Sequence, residues 1–208
     1  MRKIVGVLLS VAGAGILTVG AMQYIEHQAN LKKAMAEANA LIGQPGTTDI
    51  SEETRMTTVS HRTPLIDRSE FKPEQNDVIG LLEIPKLNED LPIIEGTDEE
   101  NLARGVGHYS STVFPSDNEQ ILLSGHRDTV FRNFGKLAIG DRFIVKLPYG
   151  TYEYEIKSTD IVDKDDTTVI RPMGTEVLVV STCYPFNFVG SAPERYILYA
   201  YPVDHLNS

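Results

Sequence analysis

Apolar positions fall along this chain in three regimes. Over positions 4–22 about nineteen successive residues carry no charge, which at helical rise spans the hydrocarbon core of a bilayer. From Gln23 onward strong helix formers, among them Ala29, Leu31, Ala34, Met35, Ala38 and Leu41, are interspersed with Lys32, Lys33 and Glu37 until Gly43-Gln44-Pro45-Gly46 ends the run, predicting a helical stalk. Positions 47–72 are rich in Thr, Ser and charge with few apolar anchors, the composition of a linker. Beyond them short apolar runs recur between turn residues.

Those runs read as strands. Val78-Ile79-Gly80-Leu81-Leu82-Glu83-Ile84 and Leu91-Pro92-Ile93-Ile94-Glu95-Gly96 flank Pro85-Lys86-Leu87-Asn88, with Pro92 suggesting an edge position. Thr97 or Asp98 can cap a short helix, Glu99 and Glu100 suit its positive end, and Gly105-Val106-Gly107 stops it, so this acidic triplet needs no functional explanation. Further strands are expected at 120–124, 142–147, 151–156, 160–162, 177–180 and 195–201, with Pro148-Tyr149-Gly150 as a hairpin turn. Many short strands, one small helix and no βαβ alternation predict an all-β fold, an antiparallel barrel or sandwich. Its sequence starts near Asp77, giving an anchor over 1–25, a stalk and linker over 26–72 and a folded domain over 73–208.

Composition narrows the classes. At 208 residues, 41% hydrophobic and 23% charged, the chain suits one domain with accessories, and a formal net charge of −10 without a Lys/Arg cluster argues against nucleic acid. There is no Gly-rich phosphate loop, C-x-x-C pair, H-E-x-x-H motif or EF-hand loop, so no cofactor is expected; the sequence leaves a calcium requirement open. Arg2 and Lys3 before the apolar run orient the N-terminus to the cytoplasm and the rest outside. A cleaved signal peptide is the rival reading, but the run exceeds the usual ~7–15-residue apolar region and no clean A-x-A site follows, favouring a retained anchor.

Export makes the single cysteine informative. Cys183 cannot form a disulfide within its own chain, and an unpaired exported Cys is either an intermolecular bridge or a reactive thiol, set against the plain alternative of a small buried hydrophobe. It follows the buried run Val177-Leu178-Val179-Val180. His126 sits in Ile121-Leu122-Leu123-Ser124-Gly125-His126, again just past an apolar strand, where Gly125 lets the backbone turn sharply. A nearby imidazolium favours the thiolate and can protonate an amine leaving group. His27 belongs to the stalk, His61 to the linker and His205 to the tail; His108 reads as structural. Acyl transfer through a thioester needs positive charge where an oxyanion develops. Arg195, opening the next strand, supplies it ahead of Arg127 and Arg132, and Asp128 is a lesser possibility for orienting the imidazole.

Over roughly 77–202 these residues resemble the sortases of Gram-positive bacteria. The resemblance is carried by Gly125-His126-Arg127, Ser181-Thr182-Cys183, an arginine about a dozen residues later, and the segment Asn101-Leu102-Ala103-Arg104-Gly105-Val106-Gly107-His108-Tyr109. It implies an eight-stranded sortase-type β-barrel and a membrane-anchored cysteine transpeptidase. Cys183 would form the acyl-enzyme, His126 act as general acid and base, Arg195 stabilise substrate and oxyanion, and Thr182 contact substrate. The chain departs from the TLxTC pattern at Val179-Val180. The Thr-Cys-Tyr-Pro-Phe run looks most like class D, with class A next, and the absence of an Asp-Pro-aromatic lid motif and of a C-terminal membrane segment points away from the pilus-assembling class. Implied partners are surface proteins with an LPxTG-like sorting signal, an amine of peptidoglycan or its precursor, and the cell membrane. A secreted cysteine hydrolase using water, or a membrane-tethered β-domain that binds cell-wall proteins without catalysis, are the competing functions.

Overall fold

The computed structural model describes residues 2–43, 66–187 and 190–203. Most of the expected linker, with His61, and the tail, with His205, lie outside the described residues. Helix α1 (Arg2–Leu41) precedes the strands β1 (Val78–Ile84), β2 (Glu89–Glu95), β3 (Val106–His108), β4 (Gln120–Gly125), β5 (Arg142–Leu147), β6 (Gly150–Asp163), β7 (Val177–Tyr184) and β8 (Glu194–Pro202). The short helix α2 (Glu99–Arg104) lies between β2 and β3, and 3-10 turns occupy Arg68–Glu70 and Phe134–Lys136.

The eight strands close into a barrel in the order β1-β2-β3-β4-β7-β8-β6-β5. Closure removes the sheet edges that short strands would otherwise expose. Alternation along the strands sorts the walls: Ile121, Leu123, Leu178, Val180, Leu198 and Ala200 point into the main core with Phe143, Tyr154 and Ile156. Their neighbours Leu122, Val177, Val179, Ile197 and Tyr199 form an outer cluster, covered by Tyr109, Val162, Val169 and Met173.

Four expectations are revised. The strands are not all antiparallel, because β2 runs parallel to β3 and β4 parallel to β7. Strand β3 was hidden in the apparent helix stop; a Cβ on Gly107 would stand 2.5 Å from the Gly96 carbonyl oxygen, so glycine permits this close pairing. The two strands expected at 151–156 and 160–162 are one, with the ladder shifting register between Ile156 and Ser158. Pro92 lies in a closed barrel, yet β3 begins pairing only at Ile93↔Val106, so β2 is locally unpaired on that side at Pro92.

Helix α1 is not a detached stalk. Ala34 and Ala38, 1% and 0% exposed and one turn apart, pack on Val78, Leu81 and Ile94, small side chains that let the helix approach the barrel closely. The folded unit also gathers residues ahead of β1: Phe71 joins the main core, and Arg68 pairs with Asp117 while its guanidinium lies 5.0 Å from the Phe114 ring centre. Toward the other end of α1, Val11, Ile16, Leu17, Val19 and Met22 are exposed. The helix turns polar from Gln23 through Glu26 and Gln28, and among the described residues no helix is long and apolar enough to cross a membrane.

Candidate active site

The topology decides which strand ends meet. Because β4 and β7 run parallel, with Gly125 opposite Thr182, both strands end at the same rim of the barrel. Strand β8 runs antiparallel to β7 and begins at that rim, with Arg195 directly opposite Cys183. Directly opposed residues in an antiparallel pair share a face. Counting by twos from Val177 and Val179, and from Tyr199 and Ile197, puts Cys183 and Arg195 on the outer face. His126 follows Gly125 at the same rim.

These three residues line one cleft of about 400 Å³ together with Arg127, Asp128, Lys164, Asp165, Gly190, Ser191 and Ala192. Cys183 is a free, half-buried thiol. Arg195 is half-buried, and its Nη1 donates to the carbonyls of Glu194 (3.0 Å) and Ala192 (3.4 Å), which tethers the guanidinium to its own loop. The structure therefore brings together the cysteine, histidine and arginine singled out in the sequence.

Gly125 serves this arrangement differently from the expectation. It is not among the glycines with positive φ. Its missing side chain instead makes room for Phe131, whose ring carbon would stand 2.5 Å from a Cβ at this position. Phe131 is fully buried and stacked on Phe134. Its backbone N–H donates to the His126 carbonyl at 3.1 Å, and Thr129 N–H donates to the same oxygen at 3.3 Å. The His126 backbone is thus fixed by β4 on one side and by a buried aromatic plug on the other.

Thr182 does not line the cleft. Alternation turns it to the inner face, where it is 2% exposed and its hydroxyl donates to the Gly125 carbonyl at 2.8 Å. In place of the expected substrate contact, its side chain joins the ends of β4 and β7.

Other residues sort clearly. Arg127 is buried; Nη1 donates to the Pro185 carbonyl (2.8 Å) and Nη2 to that of Gly190 (3.3 Å), so it braces the loop between β7 and β8. The Asp128 carboxylate is paired with Arg127 at 3.2 Å rather than with the imidazole it could have oriented, and Arg132, an alternative to Arg195, donates to the Asp128 carbonyl. His108, 1% exposed, contacts Glu95 at 2.7 Å and the Val113 carbonyl at 3.1 Å, a structural role as expected. His27 lies on α1 and is not among the residues lining the cleft.

Sequence reading missed Glu99, Lys164 and Asp165. Glu99 Oε1 lies 3.6 Å from His126 Nε2. Lys164 and Asp165 open the segment between β6 and β7, and Lys164 N–H donates to the Pro193 carbonyl at 2.9 Å, fastening that segment to the β7–β8 loop. Its far end is held by Glu119, which accepts from the N–H groups of Met173 and Gly174, and by Gln120, whose Nε2 donates to the Val169 carbonyl at 2.8 Å. The Met173 N–H above all holds the Glu119 carboxyl below the usual carboxylate range. Nothing in local sequence pattern signals these contacts, since each joins distant segments.

Comparison with known proteins follows the same residues. A family model described as the sortase domain matches residues 82–203. The chain is 41% identical over 204 residues to Sortase D of Bacillus subtilis (strain 168), covering 96% of this chain and 98% of that protein. It is 24% identical over 196 residues to Sortase A of Bacillus anthracis, covering 87% and 86%. Among solved structures it resembles a Clostridium perfringens Sortase D5 transpeptidase with a TM-score of 0.58 at 27% identity, covering 64% of this chain and 83% of that one. It also resembles Streptococcus agalactiae sortase C1 in complex with MTSET, with a TM-score of 0.58 at 25% identity, covering 88% and 91%.

Proposed function

Because the chain belongs to the sortase family, we propose that it is a membrane-anchored cysteine transpeptidase that cleaves an LPxTG-like sorting signal and transfers the surface protein to an amine of a peptidoglycan precursor. The observation that carries the residue assignment is the meeting of Cys183, His126 and Arg195 in one cleft at the rim shared by β4, β7 and β8. The higher identity to Sortase D than to Sortase A agrees with the class D resemblance.

In this reading the Cys183 thiolate attacks the carbonyl carbon after the threonine of the signal, forming a C–S bond and an oxyanion. Arg195, permanently charged, stabilises the oxyanion and holds the substrate carbonyl. His126, as imidazolium, protonates the departing amine as the peptide C–N bond breaks, leaving a thioester. The acceptor amine then attacks the thioester, His126 takes its proton, and the thiolate is released, a ping-pong sequence. Thr182 supports the site by holding β4 against β7 rather than by touching substrate.

Anchoring is the second part of the proposal. The charge-free run over 4–22, the preceding Arg2 and Lys3, and the exposed Val11, Ile16, Leu17 and Val19 suit an N-terminus in the cytoplasm, a segment in the bilayer and a catalytic domain outside.

The test uses the full-length chain in detergent with a quenched sorting-signal peptide and a nucleophilic amine. Mass spectrometry should find an acyl adduct on Cys183 and amine in the product. Failure of the amine to enter the product would leave a hydrolase, and unchanged turnover in Cys183→Ala would overturn the mechanism altogether.

A further inference from the structure

We propose that Glu99 is a positioning residue for His126, holding its imidazole through Nε2; the inference rests on the assignment of His126 as the acid and base. Asp128 and Asp165, the carboxylates lining the cleft, are paired with Arg127 at 3.2 Å and Lys164 at 3.3 Å. Glu99 comes from a separate element. Its Oε1 is 3.6 Å from His126 Nε2, and among the described residues no other carboxylate lies within 4.0 Å of that imidazole.

The helix that presents Glu99 is fixed in place. Asp98 caps α2 by accepting from Asn101 N–H at 2.9 Å. Asn101 is fully buried and its amide donates to the Asn76 side chain at 2.9 Å and to the Glu95 carbonyl at 3.2 Å. Arg104 donates to the Asn76 carbonyl at 2.8 Å and pairs with Glu37 of α1 at 3.8 Å. A six-residue helix would not hold its first residue steady by itself. Here a buried polar network fixes the backbone from which the exposed Glu99 side chain projects.

The contact is a full ion pair only while the imidazole is protonated. An ion pair on the Nε2 side leaves the Nδ1 edge of the ring for the reacting atoms. The same cleft is faced by the cations Arg127, Lys164 and Arg195 and by the carboxylates of Asp128 and Asp165. Glu99 reaches the ring from an element outside the cleft loops. Because the Glu99 side chain is 90% exposed, its contribution should match an exposed ion pair, about fivefold in rate at most. It should also fade with salt, since the screening length falls to about 3 Å at 1 M.

Steady-state transpeptidation by the full-length chain tests this with Glu99→Gln and, as a control on the same helix turn, Glu100→Gln. Glu99→Gln should lower kcat measurably, by up to about fivefold at low salt, leave KM and Tm unchanged, and converge with wild type near 1 M NaCl. Glu99→Asp should recover part of the loss, and Glu100→Gln should match wild type. A wild-type rate for Glu99→Gln at low salt, an equal loss in Glu100→Gln, or a loss that tracks a lowered Tm would each overturn the proposal. Failure of the acid–base assignment itself reads out separately, as full activity in His126→Ala.

Discussion

Gly125→Ala should damage both the fold and the site through one clash. The added Cβ would stand 2.5 and 2.6 Å from Phe131 ring carbons and 2.8 Å from a Val130 methyl. Carbon atoms pack comfortably at about 3.5–4.0 Å, so the ring must retreat by about 1 Å. It has nowhere easy to go, since Phe131 is fully buried with its centroid 3.7 Å from that of Phe134. Overpacking of this kind costs about 1–3 kcal/mol, or roughly 3–10 °C in Tm for a domain of this size. The displacement passes to His126 because Phe131 N–H bonds its carbonyl, and a misplacement near 1 Å can cost on the order of a hundredfold in rate. Urea and thermal melts, paired with the rate of acyl-enzyme formation by mass spectrometry, read both effects. Combining Gly125→Ala with Phe131→Leu should give less loss than the sum of the single changes, since the smaller side chain relieves the clash. Wild-type Tm and acylation rate in Gly125→Ala, or strict additivity with Phe131→Leu, would refute the argument.

Three further outcomes follow from named contacts. Thr182→Val keeps shape but leaves the buried Gly125 carbonyl without its hydroxyl donor; a loss of about 1–3 kcal/mol is expected by urea denaturation, and unchanged stability would mean that the bond joining β4 and β7 contributes nothing. Arg127→Ala frees the Pro185 and Gly190 carbonyls; amide exchange at Phe186, Asn187, Gly190 and Ser191 should accelerate and peptide KM rise, and a wild-type exchange pattern would remove its bracing role. Glu119 titrates below its ordinary 4.5 because Met173 N–H, then Gly174 and Gln120 N–H, donate to it, so its hold on the 164–176 segment is complete above that value and lost as pH falls through the lower folded one. Accordingly the Tm difference between wild type and Glu119→Gln should be flat at neutral pH and shrink on acidification, and a difference that grows toward low pH would contradict the assignment.

Local pattern carried much of the fold. Positions 78–84 and 142–147 were legible to the residue because apolar runs bounded by turn residues need a sheet to bury them, and α2 was announced by two possible caps, Thr97 and Asp98, of which the structure uses the Asp98 carboxylate. Strand β3 escaped because three residues are too few for a period to register. The bulge in β6 was misread as a gap for a related reason, a single break in alternation.

For the site, the sequence by itself determined the chemical candidates. One cysteine, a histidine after a strand and an arginine at the start of the next could be named because their chemistry is rare and their placement local. What only the tertiary structure decided is how they meet. Parallel pairing of β4 with β7 sends Gly125 and Thr182 to the same rim; antiparallel pairing would place His126 and Cys183 at opposite ends of the barrel. Pairing partners are selected by barrel closure and burial over the whole chain, which no short window of residues encodes. The same holds for Arg127 as a brace, for α1 docked through Ala34 and Ala38, and for Glu99, an ordinary helix-end acid until the fold sets it 3.6 Å from His126.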